Sequence, residues 1–213
     1  MDNVLLPNGK LNPTETFFRG IDLRGKLIKD GQITVALAGQ EILSPLEAYS
    51  VISDETLFSK VKELLSPLRA QTNALGLWDN HHLGYYGSLT FPGKTIAHPG
   101  RPVLNKKTKQ GGEQLFMLTV FQEAETLSGG AFSSMVTALQ QVALKKAFYA
   151  AGHGYLGQNS ADWKPLVLQS GDNAGEVENW VTSEAMGMAL EALQSLPAFD
   201  ISSIPSVLPT VGE

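Results

Sequence analysis

Residues 115–121 carry no charged side chain, and Thr119 is the one polar residue among these seven. Seven residues is an ordinary length for a β-strand and short for a helix. A strand without charge on either face is typical of one that is buried on both sides. The run therefore predicts a strand inside a sheet. It is far shorter than the roughly 20 apolar residues of a membrane-spanning helix.

The chain contains no cysteine, which excludes disulfides, cysteine nucleophiles and metal centres ligated by cysteine. The N-terminal residues also lack the basic and apolar regions of a secretory signal. We therefore expect a cytoplasmic protein.

Helical spacing of apolar residues appears in three places. Asp54 precedes the first and has the side chain of an N-cap, and this helix should end near Pro67. A second helix is predicted over residues 132–151, with Gly152 as its C-terminal cap. A third is predicted over residues 183–196, where Met186, Leu190 and Leu193 would share the buried face.

Further strands are predicted at residues 32–38, 84–91 and 166–168, where apolar and β-branched residues stand between turn formers. The first thirty residues are interrupted by proline and glycine and should form loops and short strands. We expect one globular domain over residues 1–196. Residues 197–213 contain Pro205 and Pro209 and should form an extended tail.

Charge is distributed unevenly along a chain whose formal net charge is −5. Residues 81–122 carry five basic side chains and one acidic one, whereas residues 163–213 carry one basic and seven acidic ones. Such an asymmetry is typical either of contact with a polyanion at the basic stretch and a protein partner at the acidic segment, or of a solvated loop beside a solvated helix.

Catalytic motifs are not evident in the sequence. The four histidines, His81, His82, His98 and His153, lack the spacing of a metal site, because adjacent histidines on a strand point to opposite faces. The glycines of residues 152–157 follow a helix, whereas a phosphate-binding loop precedes one. We therefore expect no catalytic residues, no metal and no cofactor.

Aromatic and basic side chains cluster in the middle of the chain. Single-stranded nucleic acid offers bases for stacking and phosphates for ion pairing, so this combination favours binding of a single strand. We expect Trp78, His82 and Tyr86 to stack on bases. The predicted phosphate contacts are Lys94, Arg101, Lys106, Lys107 and Lys109.

Residues 94–172 resemble single-stranded DNA-binding proteins of T7-like phages. Residues 94–99, a basic loop and residues 115–120 are similar to the first barrel strands of that family, and Trp163-Lys164-Pro165-Leu166 leads to Gly171-Asp172 as it does there. The resemblance implies an OB-like barrel with an inserted helix, DNA binding in replication, and an acidic C-terminus that contacts partners. That family continues with several strands where this chain has a helix and a tail.

The predicted fold is therefore α+β: an OB-like β-barrel with an inserted long helix and a C-terminal helix. A ferredoxin-like βαββαβ sheet is the alternative. The predicted function is a non-catalytic single-stranded DNA-binding accessory protein of phage or mobile-element type, in the bacterial host cytoplasm if phage-encoded, that self-associates. The alternatives are a virion or assembly subunit that self-associates through its C-terminal helix and tail, and, third, a small-molecule enzyme with a histidine-centred site.

Overall fold

The computed structural model of this chain describes residues 32–73, 75–90, 103–167, 174–178 and 181–194. Several features predicted above lie outside these residues. They are the loops of the first thirty residues, the two candidate phosphate contacts Lys94 and Arg101, and the tail at residues 197–213.

The described residues form five α-helices joined by short strands and turns. The helices are α1 (Val35–Ile52), α2 (Glu55–Leu65), α3 (Gly111–Ser128), α4 (Ser133–Val142) and α5 (Ser183–Gln194). The strands are β1 (Gln32–Ile33), β2 (Ser88–Thr90), β3 (Val103–Asn105), β4 (Thr108–Lys109), β5 (Phe148–Tyr149), β6 (Gly154–Tyr155), β7 (Asn159–Ser160), β8 (Leu166–Val167) and β9 (Val177–Glu178).

Helix α3 is the centre of the molecule and packs against α1, α4 and α5. Most of its apolar residues, among them Leu115, Leu118 and Phe121, are fully buried. The predicted strand at residues 115–121 is therefore wrong, and these residues belong to an 18-residue helix. A helix surrounded by other helices is apolar on every side, so it lacks the periodicity that separates a helix from a buried strand.

Helix α1 replaces most of the strand predicted at residues 32–38, because only β1 is extended there. The buried residues Val35, Ala38, Ile42 and Leu46 recur at steps of three and four, which is the spacing of one helix face. The β-branched residues that favoured a strand lie at the start of this segment. Burial of the helical face against α2 and α3 outweighs their local preference.

Helix α2 confirms the predicted N-cap at Asp54. Its carboxylate accepts hydrogen bonds from the backbone N–H groups of Thr56 at 2.8 Å and Leu57 at 3.3 Å. The helix ends at Leu65, followed by a single 3-10 turn that contains Pro67. Local sequence signals are sufficient here, because the cap and the proline act within one helical turn.

The other two predicted helices are present with altered limits or faces. The helix predicted at residues 132–151 is α-helical only in α4, continues as a π-helical turn through Ala147 and becomes strand β5. In α5 the buried face consists of Ala185, Ala189 and Ala192, and the predicted core residue Leu190 is 62% exposed. Small side chains allow α5 to approach α3 closely, which a face of leucines would prevent.

The strands form small antiparallel sheets. Strand β2 pairs with β1 and β3, and the other pairs are β4–β7, β5–β6 and β8–β9. Of the predicted strands, residues 84–91 shorten to β2 and residues 166–168 correspond to β8. No closed barrel and no four-stranded sheet occurs in the described part of the chain. The predicted OB-like barrel and the ferredoxin-like alternative are both wrong, because helices supply the core.

Two hairpins of the same construction precede α3 and α5. Trp78 bridges to Tyr85 in the first, and Phe148 pairs with Tyr155 in the second. The rings meet edge-on in both, with centroids 5.0 and 5.6 Å apart. Each tyrosine belongs to a Gly-Tyr-x-Gly sequence, at residues 84–87 and 154–157. The fold therefore repeats a helix–hairpin–helix unit, first from α2 to α3 and then from α4 to α5.

None of the helices in the described residues has the length and apolar character needed to cross a membrane.

Candidate functional site

Helices α1, α3 and α5 begin at one cleft. Its volume is about 250 Å³. Residues from the first turn of each helix or from its approach line it, including Thr34 for α1, Glu113 for α3 and Glu184 for α5. Gln110, Gly157 and Thr182 complete the polar part of the wall. We call this the Glu113 cleft. The positive ends of three helix dipoles therefore lie at this cleft.

Glu113 is the buried ionisable group of this cleft. Its side chain is 5% exposed. Burial raises the pKa of Glu113 to about 8, nearby Glu184 adds to the rise, and a hydrogen bond with the Thr34 side chain opposes it. The carboxyl group therefore holds its proton at neutral pH, and its buried Oε2 has no hydrogen-bond partner in the described part of the chain.

The position of α5 beside Glu113 depends on Gly112. A Cβ atom at residue 112 would lie 3.3 Å from Cα of Ala185 and 3.1 Å from Sδ of Met188. Glycine thus allows the first turns of α3 and α5 to approach closely. The hydroxyl of Thr182 accepts a hydrogen bond from the N–H of Ala185 at 3.2 Å and caps α5 at the rim of the cleft.

The lining of the Glu113 cleft consists of amides, hydroxyls and two carboxyl groups, together with alanine, glycine and methionine. It contains neither lysine nor arginine among its described residues. Such a surface donates hydrogen bonds to hydroxyl groups and accepts hydrogen bonds from them. The chemistry fits a small neutral molecule that carries several hydroxyls.

A buried ion pair lies beside the start of α3. Nζ of Lys109 donates to Oδ2 of Asp79 at 2.8 Å and to the backbone oxygen of Leu83 at 2.7 Å. The same ammonium lies 5.1 Å from the ring centre of Trp163 and 5.4 Å from that of Tyr86. We call this group of residues the Asp79–Lys109 cluster. It joins the first hairpin to β4, the strand that leads into α3.

Hydrogen bonds determine the charge state of the cluster. Burial alone would raise the pKa of Asp79, but hydrogen bonds from Lys109 and from the backbone N–H groups of His81 and His82 hold the pKa at about 2. Burial lowers the pKa of Lys109, and its bond to Asp79 opposes that change. The structure therefore contains a hydrogen-bonded ion pair whose polar groups are satisfied.

The structure brings some of the predicted stacking and phosphate-binding residues together around Asp79 and buries two of them. Trp78 is 3% exposed and Lys109 is fully buried, so neither side chain can contact a nucleic-acid strand at the surface. His82 and Tyr86 are half-buried, and both contact Asp79. Lys106 is exposed, 6.0 Å from the Tyr86 ring.

Lys107 is also exposed, and it lines a cleft together with Ser160, Asp162 and Lys164. Six of the eight predicted contacts thus lie in the described residues, and of these Trp78 and Lys109 are buried, His82 and Tyr86 are half-buried, and Lys106 and Lys107 are exposed.

The adjacent histidines lie in a turn and not on a strand. The rings of His81 and His82 stack at 4.3 Å with an interplanar angle of 15°, so the expectation that they point to opposite faces is wrong. Within the described ranges, no three His, Asp or Glu side chains are placed together to hold a metal ion.

Sequence reasoning missed Glu113 as a site residue. Glu113 was counted only as the acidic exception in a basic stretch, because the residues that follow it were interpreted as a strand. If residues 111–121 are interpreted as the start of a helix, Gly111-Gly112-Glu113 is its first turn, a position where acidic side chains are favoured. The recurrence of Gly-Tyr-x-Gly before both α3 and α5 was the available signal for that interpretation.

No family model matches the sequence, and no curated protein matches it. Solved structures do share the fold. Cellobiose 2-epimerase from Bacillus thermoamylovorans superposes with a TM-score of 0.61 at 14% identity, covering 91% of this chain and 45% of that one. Cellobiose 2-epimerase from Spirochaeta thermophila gives 0.58 at 16% identity, covering 77% and 38%. A D-mannose isomerase gives 0.56 at 14% identity, covering 86% and 44%.

These likenesses establish the fold, and this chain spans less than half the length of each of the three structures. They contradict the predicted single-stranded DNA-binding function, because the shared fold is a helical one found in sugar epimerases and isomerases and not an OB barrel. The prediction of a non-catalytic protein is contradicted by the same finding, since the three solved structures named above are enzymes.

Proposed function

We propose that this protein binds a sugar in the Glu113 cleft and catalyses proton transfer on it, as a sugar epimerase or isomerase. The main support for this proposal is the buried carboxyl group of Glu113. Its Oε2 atom has no hydrogen-bond partner among the described residues, and its pKa is about 8. A perturbed carboxyl group in a polar cleft is a common feature of acid–base sites. The fold shared with cellobiose 2-epimerases and a D-mannose isomerase supports the sugar as substrate.

Epimerisation at C2 and aldose–ketose isomerisation begin with the same step. A base removes the C2 proton of the open-chain sugar while an acid protonates the C1 carbonyl oxygen, which gives an enediol. A proton returned to C2 on the opposite face, with loss of the O1 proton, gives the epimer. A proton returned to C1, with loss of the O2 proton, gives the ketose. Both reactions need one acid and one base close to the first two carbons.

Glu113 has the properties of the acid. With a pKa of about 8 it is protonated at neutral pH, and it regains a proton readily after donating one. Glu184, which lines the same cleft from α5, is the candidate base. Gln110 and Thr182 are placed on the wall to hydrogen-bond the remaining hydroxyls.

The test is solvent isotope exchange in D₂O. The 213-residue chain is incubated with glucose, mannose or cellobiose, and the H2 signal is followed by proton NMR. The proposal predicts loss of H2 and the appearance of an epimer or a ketose from at least one sugar. Glu113→Gln should slow this by at least about a hundredfold, the usual contribution of a general acid or base.

Glu123→Gln is the matched control, since it removes a carboxylate from the same helix at a position that does not line the cleft. Its exchange rate should equal that of the wild type. The proposal fails if none of the three sugars exchanges H2, or if Glu113→Gln exchanges as fast as Glu123→Gln.

A further inference from the structure

The residue immediately before each of the helices α1, α3 and α5 lines the Glu113 cleft. These residues are Thr34, Gln110 and Thr182. Thr34 and Thr182 are N-cap residues of the same kind, because the backbone oxygen of each accepts the first hydrogen bond of its helix. The donors are the N–H groups of Ala38 at 3.2 Å and Met186 at 3.1 Å. The two threonines therefore occupy equivalent positions in their helices, and the partners of their hydroxyls can be compared.

The two hydroxyls have different partners. The Thr182 hydroxyl accepts a hydrogen bond from the N–H of Ala185, in its own helix. The Thr34 side chain forms a hydrogen bond with the carboxyl group of Glu113, on the neighbouring helix α3. The Oε2 atom of Glu113 has no partner among the described residues, so this bond goes to Oε1. Thr34 thus connects the start of α1 to the buried carboxyl group of the cleft.

Gly39 allows α1 to pack closely against α3 beside this bond. A Cβ atom at residue 39 would lie 2.8 Å from Cε1 of Phe116 and 2.9 Å from Sδ of Met117. These contacts lie about one helical turn beyond Thr34 on α1 and beyond Glu113 on α3. The bond therefore joins two helices whose separation is fixed by packing.

The bond to Thr34 opposes the other influences on Glu113. Burial raises the pKa of Glu113, the bond to Thr34 lowers it, and Glu184, which faces the cleft from α5, raises it. The described residues that line the cleft from α1 and from the segment before α3 carry no charge. A hydroxyl that donates to a charged oxygen forms a stronger bond than one that donates to a neutral carboxyl group. The bond therefore strengthens when Glu113 loses its proton.

We propose that Thr34 is a positioning residue for proton donation by Glu113: its hydroxyl fixes the orientation of the carboxyl group and stabilises the carboxylate that remains. This inference rests on the proposed function, in which Glu113 is the acid. The O–H bond of the Glu113 carboxyl breaks as an O–H bond to the C1 carbonyl oxygen of the sugar forms. The Thr34 hydroxyl keeps its own proton throughout.

Two substitutions separate the hydroxyl of Thr34 from its methyl group. Thr34→Val keeps the size of the side chain and removes the hydroxyl, whereas Thr34→Ser keeps the hydroxyl and removes the methyl group. Carbon-13 NMR titration of the Glu113 carboxyl, without any sugar, should show its pKa raised by about one pH unit in Thr34→Val. In Thr34→Ser the pKa should equal that of the wild type. Circular dichroism checks that both variants fold.

The kinetics of H2 exchange test the effect on the reaction. With the sugar that the wild type exchanges, kcat should fall roughly three- to tenfold in Thr34→Val, because its carboxyl group is the weaker acid. The KM should stay within about twofold, since the Thr34 hydroxyl contacts Glu113 and not the sugar. The pH above which exchange declines should rise together with the pKa of Glu113. Thr34→Ser should restore both kcat and this pH profile.

Thr119→Val is the matched control. Thr119 lies on the same helix as Glu113 but does not line the cleft, and its hydroxyl donates to the backbone oxygen of Leu115 at 3.5 Å. The variant should keep the wild-type pKa of Glu113 and the wild-type kcat.

An unchanged pKa of Glu113 or an unchanged kcat in Thr34→Val overturns the positioning role and leaves the proposed function intact. The same holds for a loss of kcat that Thr34→Ser does not restore, because it would assign the effect to the methyl group. Failure of the wild type to exchange H2 from glucose, mannose or cellobiose overturns the proposed function, and this inference with it.

Discussion

Nζ of Lys109 lies 2.8 Å from Oδ2 of Asp79, and the two side chains are 0% and 4% exposed. Asp79 belongs to the first hairpin and Lys109 to the strand that leads into α3. The pair thus fixes the loop before α3 to the hairpin that precedes it. The N-terminal turn of α3 carries Glu113, so this ion pair supports the geometry of the proposed site.

Removing one partner of this ion pair should lower the free energy of unfolding. Lys109→Met leaves the Asp79 carboxylate buried without its cation, and we expect the free energy of unfolding to fall by about 3 to 5 kcal/mol. Asp79→Asn/Lys109→Met should be more stable than Lys109→Met alone, because the amide oxygen still accepts the N–H groups of His81 and His82. Urea unfolding measures both, and a double variant less stable than Lys109→Met would contradict the interpretation.

The pKa of Glu113 makes stability depend on pH. Because it is raised from 4.5 to about 8, the folded protein binds this proton more tightly than the unfolded chain does. Stability should therefore decline as pH rises from 4.5 to about 8, by roughly 5 kcal/mol for the full shift. Glu113→Gln should remove this decline, whereas Glu123→Gln should keep it. Urea unfolding across this range gives the comparison, and parallel profiles for wild type and Glu113→Gln would refute the assignment.

The buried face of α5 can be tested by changing the size of individual side chains on this helix. Ala189 is buried against α3, so Ala189→Leu should overpack this contact and cost about 1 to 3 kcal/mol. Leu190 is mostly exposed, so Leu190→Ala should change stability by less than about 0.5 kcal/mol. Thermal unfolding distinguishes the two. The opposite order of effects would restore the leucine face predicted from the sequence.

Gly84 is the position in the first hairpin where a side chain should be least tolerated. Its φ is +91°, and a Cβ atom would lie 2.6 Å from Cζ2 of Trp163. Gly84→Ala should cost about 2 kcal/mol or more, from backbone strain and displacement of Trp163. Gly187→Ala, in α5 where nothing lies within 4 Å of the added Cβ, should stabilise by about 0.5 to 1 kcal/mol. Equal effects of the two substitutions in urea unfolding would count against the hairpin geometry.

Local signals predicted local structure correctly. The Asp54 cap acts within three residues, and it identified the start of α2. The run at residues 115–121 is different, because its environment is formed by the neighbouring helix α4 together with α1 and α5, which are distant in sequence. Its uniform apolar character follows from burial on all sides and fits a strand equally well.

The candidate site likewise depends on contacts between residues that are distant in sequence. Glu113 gains its raised pKa from burial among three helix ends, and no spacing within the sequence reveals that burial. Lys109 was expected at the surface with Lys106 and Lys107, but alternation along β4 turns its side chain inward to Asp79. Composition described the charge of this segment correctly, whereas the direction of each side chain depended on the pairing of β4 with β7.

Carbon-13 NMR of glutamate side-chain carboxyl groups tests the central claim most directly. One carboxyl resonance, absent from Glu113→Gln, should titrate near pH 8, and addition of cellobiose should shift it while the Glu123 resonance stays in place. A Glu113 resonance that titrates near its ordinary pKa of 4.5, or one that does not respond to the sugar, would contradict a protonated carboxyl at a sugar-binding site.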